Sequence, residues 1–152
     1  MIHLGDAQVC RQMVQRLASL QPDTQKRWGK MTAGQMVCHL NDSFQGVMGG
    51  RTLSPATGPL QRTVMKWGAL YLPIEWPKGV PTRPEVEQGV GGTPPGDFSR
   101  DRAALVASIQ RFCCPNRPFA WSPHPIFGPM TERQWLRWGY LHTDHHLRQF
   151  GL

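Results

Sequence analysis

The chain has 152 residues, enough for one domain over 1–152 with a sizeable core. Its formal net charge is +7, but the arginines are scattered and no nucleic-acid motif is present, which argues against a dedicated nucleic-acid binder. No stretch approaches the ~20 apolar residues of a membrane span, and Met1-Ile2-His3-Leu4-Gly5-Asp6 lacks the basic and apolar regions of a signal peptide, so the expectation is a cytoplasmic protein with no membrane partner and no specific nucleic acid.

The first helix is expected over Asp6 to Leu20, where Val9, Cys10, Met13, Val14, Leu17 and Leu20 follow the spacing of one apolar stripe. A second begins at Thr32, with Gln35 three residues on in the capping-box pattern. Met36, Leu40, Phe44 and Val47 form its stripe, and Gly49-Gly50 stops it. His39 lies between Met36 and Leu40 on this inward face, with Asp42 three residues further and near the same side. Pro59 to Leu72 reads as a third helix with Leu60, Val64, Trp67 and Tyr71 as its inner face.

From Pro73 the chain turns rich in proline and glycine, and 73–98 reads as one extended crossover loop. A loop this long inside a compact domain is usually functional or mobile. Asp97 or Ser99 then caps a helix with the stripe Leu105, Val106, Ile109 and Phe112, ended by Pro115. Asn116 to Pro129 is loop again, and a last helix follows from Thr131. The count is four principal helices and a shorter one, with no convincing strand; one long connection suits an all-α, up-and-down four-helix bundle with a crossover.

The four cysteines show no zinc-type C-x-x-C spacing. Cys10 and Cys38 lie in amphipathic patterns and read as small buried apolar residues. Adjacent Cys113 and Cys114 read as a helix-end thiol beside an exposed one, with a redox-active pair as the alternative.

The last helix carries the chemistry. Thr131 and Gln134 repeat the capping box. At ~100° per residue, Trp135, Trp138, His142, His145, His146 and Gln149 share one face. His142 and His146 are four apart and therefore stand one turn above the other, a common way for a helix to hold a metal ion. The lead-in Phe127-Gly128-Pro129-Met130-Thr131 echoes Trp28-Gly29-Lys30-Met31-Thr32. Counted from the capping threonines, His39, His142 and His146 stand at multiples of four from one another, so adjacent helices can aim all three at one point.

Three imidazoles suit zinc, nickel and other borderline divalent metals, and three protein ligands leave a coordination position open. Their ring nitrogens are expected within ~2–2.3 Å of one ion, or within ~4 Å of each other without it. Asp42, His145 and Gln149 are candidates to support the ligands from behind, and His145 is not expected to ligate. The plainer reading is that His39 is an ordinary hydrogen-bonded core histidine and that the H-x-x-H-H cluster is too. His3 and His124 are assigned to that plainer reading. No residue beyond the metal site is assigned a catalytic role.

The segments Trp28-Gly29-Lys30-Met31-Thr32-Ala33-Gly34-Gln35-Met36 with Cys38-His39-Leu40, and His124-Pro125-Ile126-Phe127-Gly128 through His142-Thr143-Asp144-His145-His146-Leu147-Arg148-Gln149-Phe150-Gly151, resemble the DinB/YfiT-like superfamily, in a branch of unassigned function. The resemblance implies a DinB-like four-helix bundle with a long crossover, often dimeric, with a metal triad on one histidine of the second helix and a His-x-x-x-His pair on the last. Those positions are His39, His142 and His146. Several relatives use a low-molecular-weight thiol (mycothiol, bacillithiol or glutathione), which implies a thiol-dependent S-transferase acting on a small electrophile. The alternatives are a metal-assisted hydrolase and a non-catalytic ligand-binding or stress-response bundle. The 73–98 segment carries no motif that names substrate or thiol.

Overall fold

The computed structural model describes all 152 residues. It is all-α. Helix α1 spans Ala7–Ala18, α2 Ala33–Val47, α3 Lys66–Tyr71, α4 Phe98–Cys113 and α5 Glu132–Gln149. A wide, π-type turn at Gln61–Met65 leads into α3, and a single 3-10 turn at Pro84–Val86 interrupts the 73–98 connection.

The helix starts follow local chemistry. Asp6 caps α1 through its carboxylate, and Asp97, rather than Ser99, caps α4 by accepting from the Arg100 N–H at 2.8 Å. Phe98 is therefore already helical. Thr32 and Thr131 each close a complete capping box with the glutamine three residues on, at 2.9–3.3 Å. The echo between the two lead-ins is structural as well: Gly29 and Gly128 both have positive φ, of 82° and 67°.

The long helices α1, α2, α4 and α5 pack around one core, α2 against α4 most extensively. Met13 and Leu17 of α1, Met36, Leu40, Phe44 and Val47 of α2, Leu105, Ile109 and Phe112 of α4, and Trp135, Trp138 and Leu147 of α5 are buried in it. Phe44 meets Phe112 and Trp138 edge-on at 4.8 and 6.0 Å between centroids. Gly139 faces Phe112 and Leu4, not the histidines: a Cβ there would approach Phe112 to 2.7 Å. It thus lets α5 lie close to α4 and the N-terminal segment.

The third helix departs from expectation. Leu60, Val64 and Trp67, expected to face inward, are 57–65% exposed, and Leu70 makes the buried contact instead. No residue of the wide turn at Gln61–Met65 is buried, so this stretch packs no stripe against the core and only Leu70 beyond it turns inward. This helix leans on α5 through Leu70, whose carbonyl accepts from Arg137 Nε at 3.1 Å.

Among the side chains that tie down the 73–98 connection from outside it, Arg51 and Asp42 make the most bonds. Arg51 donates to the Glu85 and Gly91 carbonyls at 2.6 and 2.9 Å and to Thr93 Oγ1 at 2.7 Å. Asp42, 2% exposed, accepts from the Thr93 N–H and hydroxyl, both at 2.7 Å, from Gln88 Nε2 at 3.3 Å, and pairs with Arg51 at 3.0 Å. A buried carboxylate is tolerated only when its oxygens are occupied in this way. No helix is long and apolar enough to cross a membrane.

Candidate metal centre

His39, His142 and His146 converge. One ring nitrogen from each lies within 4.8 Å of the other two, and no other Cys, Asp, Glu or His joins the group. This is wider than the ~4 Å expected of ligands without an ion. Two tetrahedral ligands at ~2.05 Å stand about 3.3 Å apart, and His39 Nε2 and His142 Nε2 are 3.3 Å apart. The widest pair must therefore close by about 1.5 Å for one ion to reach all three.

Hydrogen bonds decide which nitrogens are free. His39 Nδ1 lies 2.8 Å from the Val86 carbonyl, which can only accept, so Nδ1 carries the proton and Nε2 keeps its lone pair. Gln149 Nε2 donates to the Trp28 carbonyl at 2.9 Å, which turns Gln149 Oε1 toward His146 Nδ1 at 3.0 Å. His146 Nδ1 is thereby the donor and its Nε2 is free. Gly29 makes room for this relay, because a Cβ there would run into the Gln149 amide, and its positive φ is poorly tolerated by other residues. His142 Nδ1 is buried with no partner. Its Nε2 faces the His39 lone pair, an arrangement stable only with a proton or a cation between them. The donor set thus fits a borderline divalent metal.

All three rings are held neutral. Burial pushes His142 and His146 well below the ordinary histidine range, and the mutual proximity of the imidazoles adds to it. Burial also lowers His39, opposed by the Val86 carbonyl and by Asp42. Neutral imidazole is the form that ligates.

The supporting residues divide three ways. Gln149 bonds the His146 ring directly. His145 stays outside the trio: its ring packs edge-on to His146 at 5.2 Å and to Trp28 at 6.1 Å, and near Trp76 at 6.3 Å. Asp42 touches no imidazole. It holds the loop from which Val86 reaches His39, so it acts one step further back than expected. Asp144 is turned away onto Arg16 and Arg148. Trp138 walls the site, 4.8 Å from His142, whereas Trp135 stacks on Trp121 instead.

Three contributors escaped the sequence reading. They are the Val86 carbonyl, the Trp28 carbonyl, and Trp76, which lies 6.1 Å from His142 and is fixed by donating to the Ala69 carbonyl at 2.8 Å. A backbone carbonyl leaves no mark in a sequence. Trp76 was visible only as a large aromatic stranded among prolines. A cleft of about 250 Å³, lined by Arg27, Trp28, Glu75 and Arg148, shares Trp28 with this aromatic wall.

His124 and His3 are structural, as assigned. His124 Nδ1 accepts from the Ile126 and Phe127 N–H groups at 3.1 and 3.0 Å, and His3 Nδ1 accepts from the Gly5 N–H at 3.1 Å. Burial lowers His124 to about 3. Its folded pKa lies below the unfolded value of ~6.5, so the unfolded chain takes up the proton first. The stability this represents is complete above ~6.5 and is lost as pH falls from there toward 3. At ~1.4 kcal/mol per pH unit, His124 alone removes about 2 kcal/mol by pH 5; His39, His142 and His146 act in the same direction. The urea midpoint of chelator-treated protein is expected to fall clearly between pH 7 and pH 5. A midpoint independent of pH in that window would contradict the buried neutral histidines.

The family profile described as "Protein of unknown function (DUF1569)" matches residues 4–151. No curated protein and no solved structure matches the chain. The match spans nearly the whole chain and includes every histidine of the trio, and the protein therefore belongs to the DUF1569 family.

Proposed function

We propose that this protein is a divalent-metal-binding bundle of the DinB/YfiT-like kind that acts as a thiol-dependent S-transferase on small electrophiles. The observation that carries this reading is the convergence of three neutral imidazoles, two of them with Nδ1 committed to acceptors behind them, and with no fourth protein ligand. Three ligands with a position left over is the layout of a catalytic rather than a structural site. Bound there, zinc or nickel would supply Lewis acidity, lowering the pKa of a thiol or a water at the open position so that its anion is present near neutral pH.

The chain's own residues do the remainder. Val86 and Gln149 orient two of the ligands. Trp138 and Trp76 flank His142 with aromatic surface at 4.8 and 6.1 Å. Arg27 puts positive charge in the neighbouring cleft, where Arg148 is paired with Glu75 at 2.8 Å, and Lys78 lies over the Trp28 ring at 4.4 Å. Such charge favours an acidic thiol such as glutathione over an uncharged one, an effect that salt screens. The four long helices around one core, with 73–98 crossing between α3 and α4, support the DinB-like assignment.

The test is turnover of a generic electrophile with glutathione, mycothiol or bacillithiol, with and without chelator. Turnover is expected to need both the thiol and the ion, to vanish on chelation and to return on re-metallation. A confirmed bound metal with no thiol-dependent turnover in any arm would exclude the transferase reading. Metal-dependent hydrolysis in that case would identify a hydrolase; no turnover at all would identify a binding protein.

A further inference from the structure

We propose that Cys10 and Cys113 form a reversible dithiol–disulfide site that staples α1 to α4 and is oxidised by small-molecule disulfides. Neither the histidine centre nor the transferase reading is needed for it. Cys10 sits in the first turn of α1 and Cys113 is the last residue of α4, two helices that pack side by side. Their sulfurs are 2.6 Å apart, across 103 positions of sequence. Both are half-buried and both are free thiols. Forming a bond of about 2.05 Å therefore asks only a small side-chain adjustment.

The pair is also chemically asymmetric. In the neutral pair either thiol can donate, but once Cys10 ionises Cys113 must be the donor. That hydrogen bond lowers the Cys10 thiol, with Arg11 helping and burial opposing, while the same contact and burial raise Cys113. Cys10 is thus the nucleophile, since the thiolate is the reactive form. The other two thiols lack such a partner. Cys38 is buried against Asp101 and pushed up to about 12, and Cys114 reaches only the Asn116 carbonyl at 3.7 Å.

The step balances. The Cys10 thiolate attacks one sulfur of R–S–S–R, the disulfide bond breaks, and RS⁻ leaves. Cys113 then loses its proton and attacks the Cys10 sulfur of the mixed disulfide, expelling the second RS⁻. The protein gives up two electrons and two thiol protons, and the oxidant leaves as two RSH.

The experiment uses the full chain, reduced and then exposed to oxidised glutathione, followed by alkylation and peptide mass mapping. Free thiols should fall from four to two. A Cys10–Cys113 cross-linked peptide should appear, should persist in Cys114→Ser, and should be absent in Cys10→Ser and Cys113→Ser. Closing a loop of about 100 residues should raise the melting temperature by on the order of 10 °C, reversed by dithiothreitol. Four surviving thiols, a glutathionylated Cys10 without a cross-link, or a bond involving Cys114 or Cys38 would each overturn the proposal. The cross-link in wild-type protein is read directly, so it does not depend on the variants folding.

Discussion

Replacing His142 with alanine is expected to lower divalent-metal affinity by roughly 100-fold or more and to leave the helical content unchanged. The size follows from the number of ligands. Four-ligand structural zinc sites bind with ~10–16 kcal/mol, or about 3 kcal/mol per ligand, and each 1.4 kcal/mol is tenfold. His142 is one of only three nitrogens that converge, and it stands 3.3 Å from its neighbour on α2. The fold does not rest on it, because the core is a continuous apolar cluster running from Leu4 to Phe150. His145→Ala is the matched control. Its ring packs against Trp28 and Trp76 and lies outside the trio, so metal content should barely change. The measurement is metal per chain after dialysis, on protein purified without a histidine tag, with a competition titration for affinity. Equal losses in the two variants would contradict the assignment of the ligands.

The second large effect is expected at Asp42. Asp42→Ala should destabilise the protein by about 3 kcal/mol, since breaking one side of a buried ion pair typically costs ~3–5 kcal/mol and Arg51 retains other acceptors here. For a domain of this size that is a fall of about 6–12 °C in melting temperature. The Thr93 N–H would lose its acceptor at 2.7 Å and, Thr93 being exposed, turn to water. The 84–93 segment would then hang on Arg51 and loosen, and with it the Val86 carbonyl that sets the His39 tautomer. Metal affinity should therefore drop by a further ~10–100-fold, the usual cost of losing the group behind a ligating histidine. Asp42→Asn keeps an acceptor and should lie between the two. Loss of stability with metal affinity untouched would separate Asp42 from the site and leave it a purely structural anchor.

The histidine trio was legible because it depends on periodicity. His142 and His146 share a face whatever else the chain does, and the offset of His39 from its capping threonine matches theirs modulo four. The distance between ligands was less legible. The rings stand within 4.8 Å rather than the ~4 Å expected, because helix separation depends on packing around Phe44, Phe112 and Trp138 and not on residue spacing. The third helix failed for a local reason of another kind. Its apolar residues repeat at helical spacing, but the wide turn at Gln61–Met65 lies on the surface with no buried residue and leaves Leu60, Val64 and Trp67 outside. Cys10 failed because a small residue on an amphipathic stripe gives no sign of which neighbour it will meet.

The sequence by itself determined the four long helices, their ends and the faces that carry the candidate ligands, since each rests on contacts between residues three or four apart: Thr32 with Gln35, Thr131 with Gln134, His142 with His146. Only the tertiary structure decided what stands behind those ligands. Val86 meets His39 across 47 positions, Trp28 meets Gln149 across 121, Thr93 meets Asp42 across 51 and Cys113 meets Cys10 across 103. Two of these four contacts are made by backbone carbonyls and a third by a backbone N–H, which every residue but proline offers alike. Their placement is set by how the helices pack and where the long connection is anchored, and no local pattern encodes either.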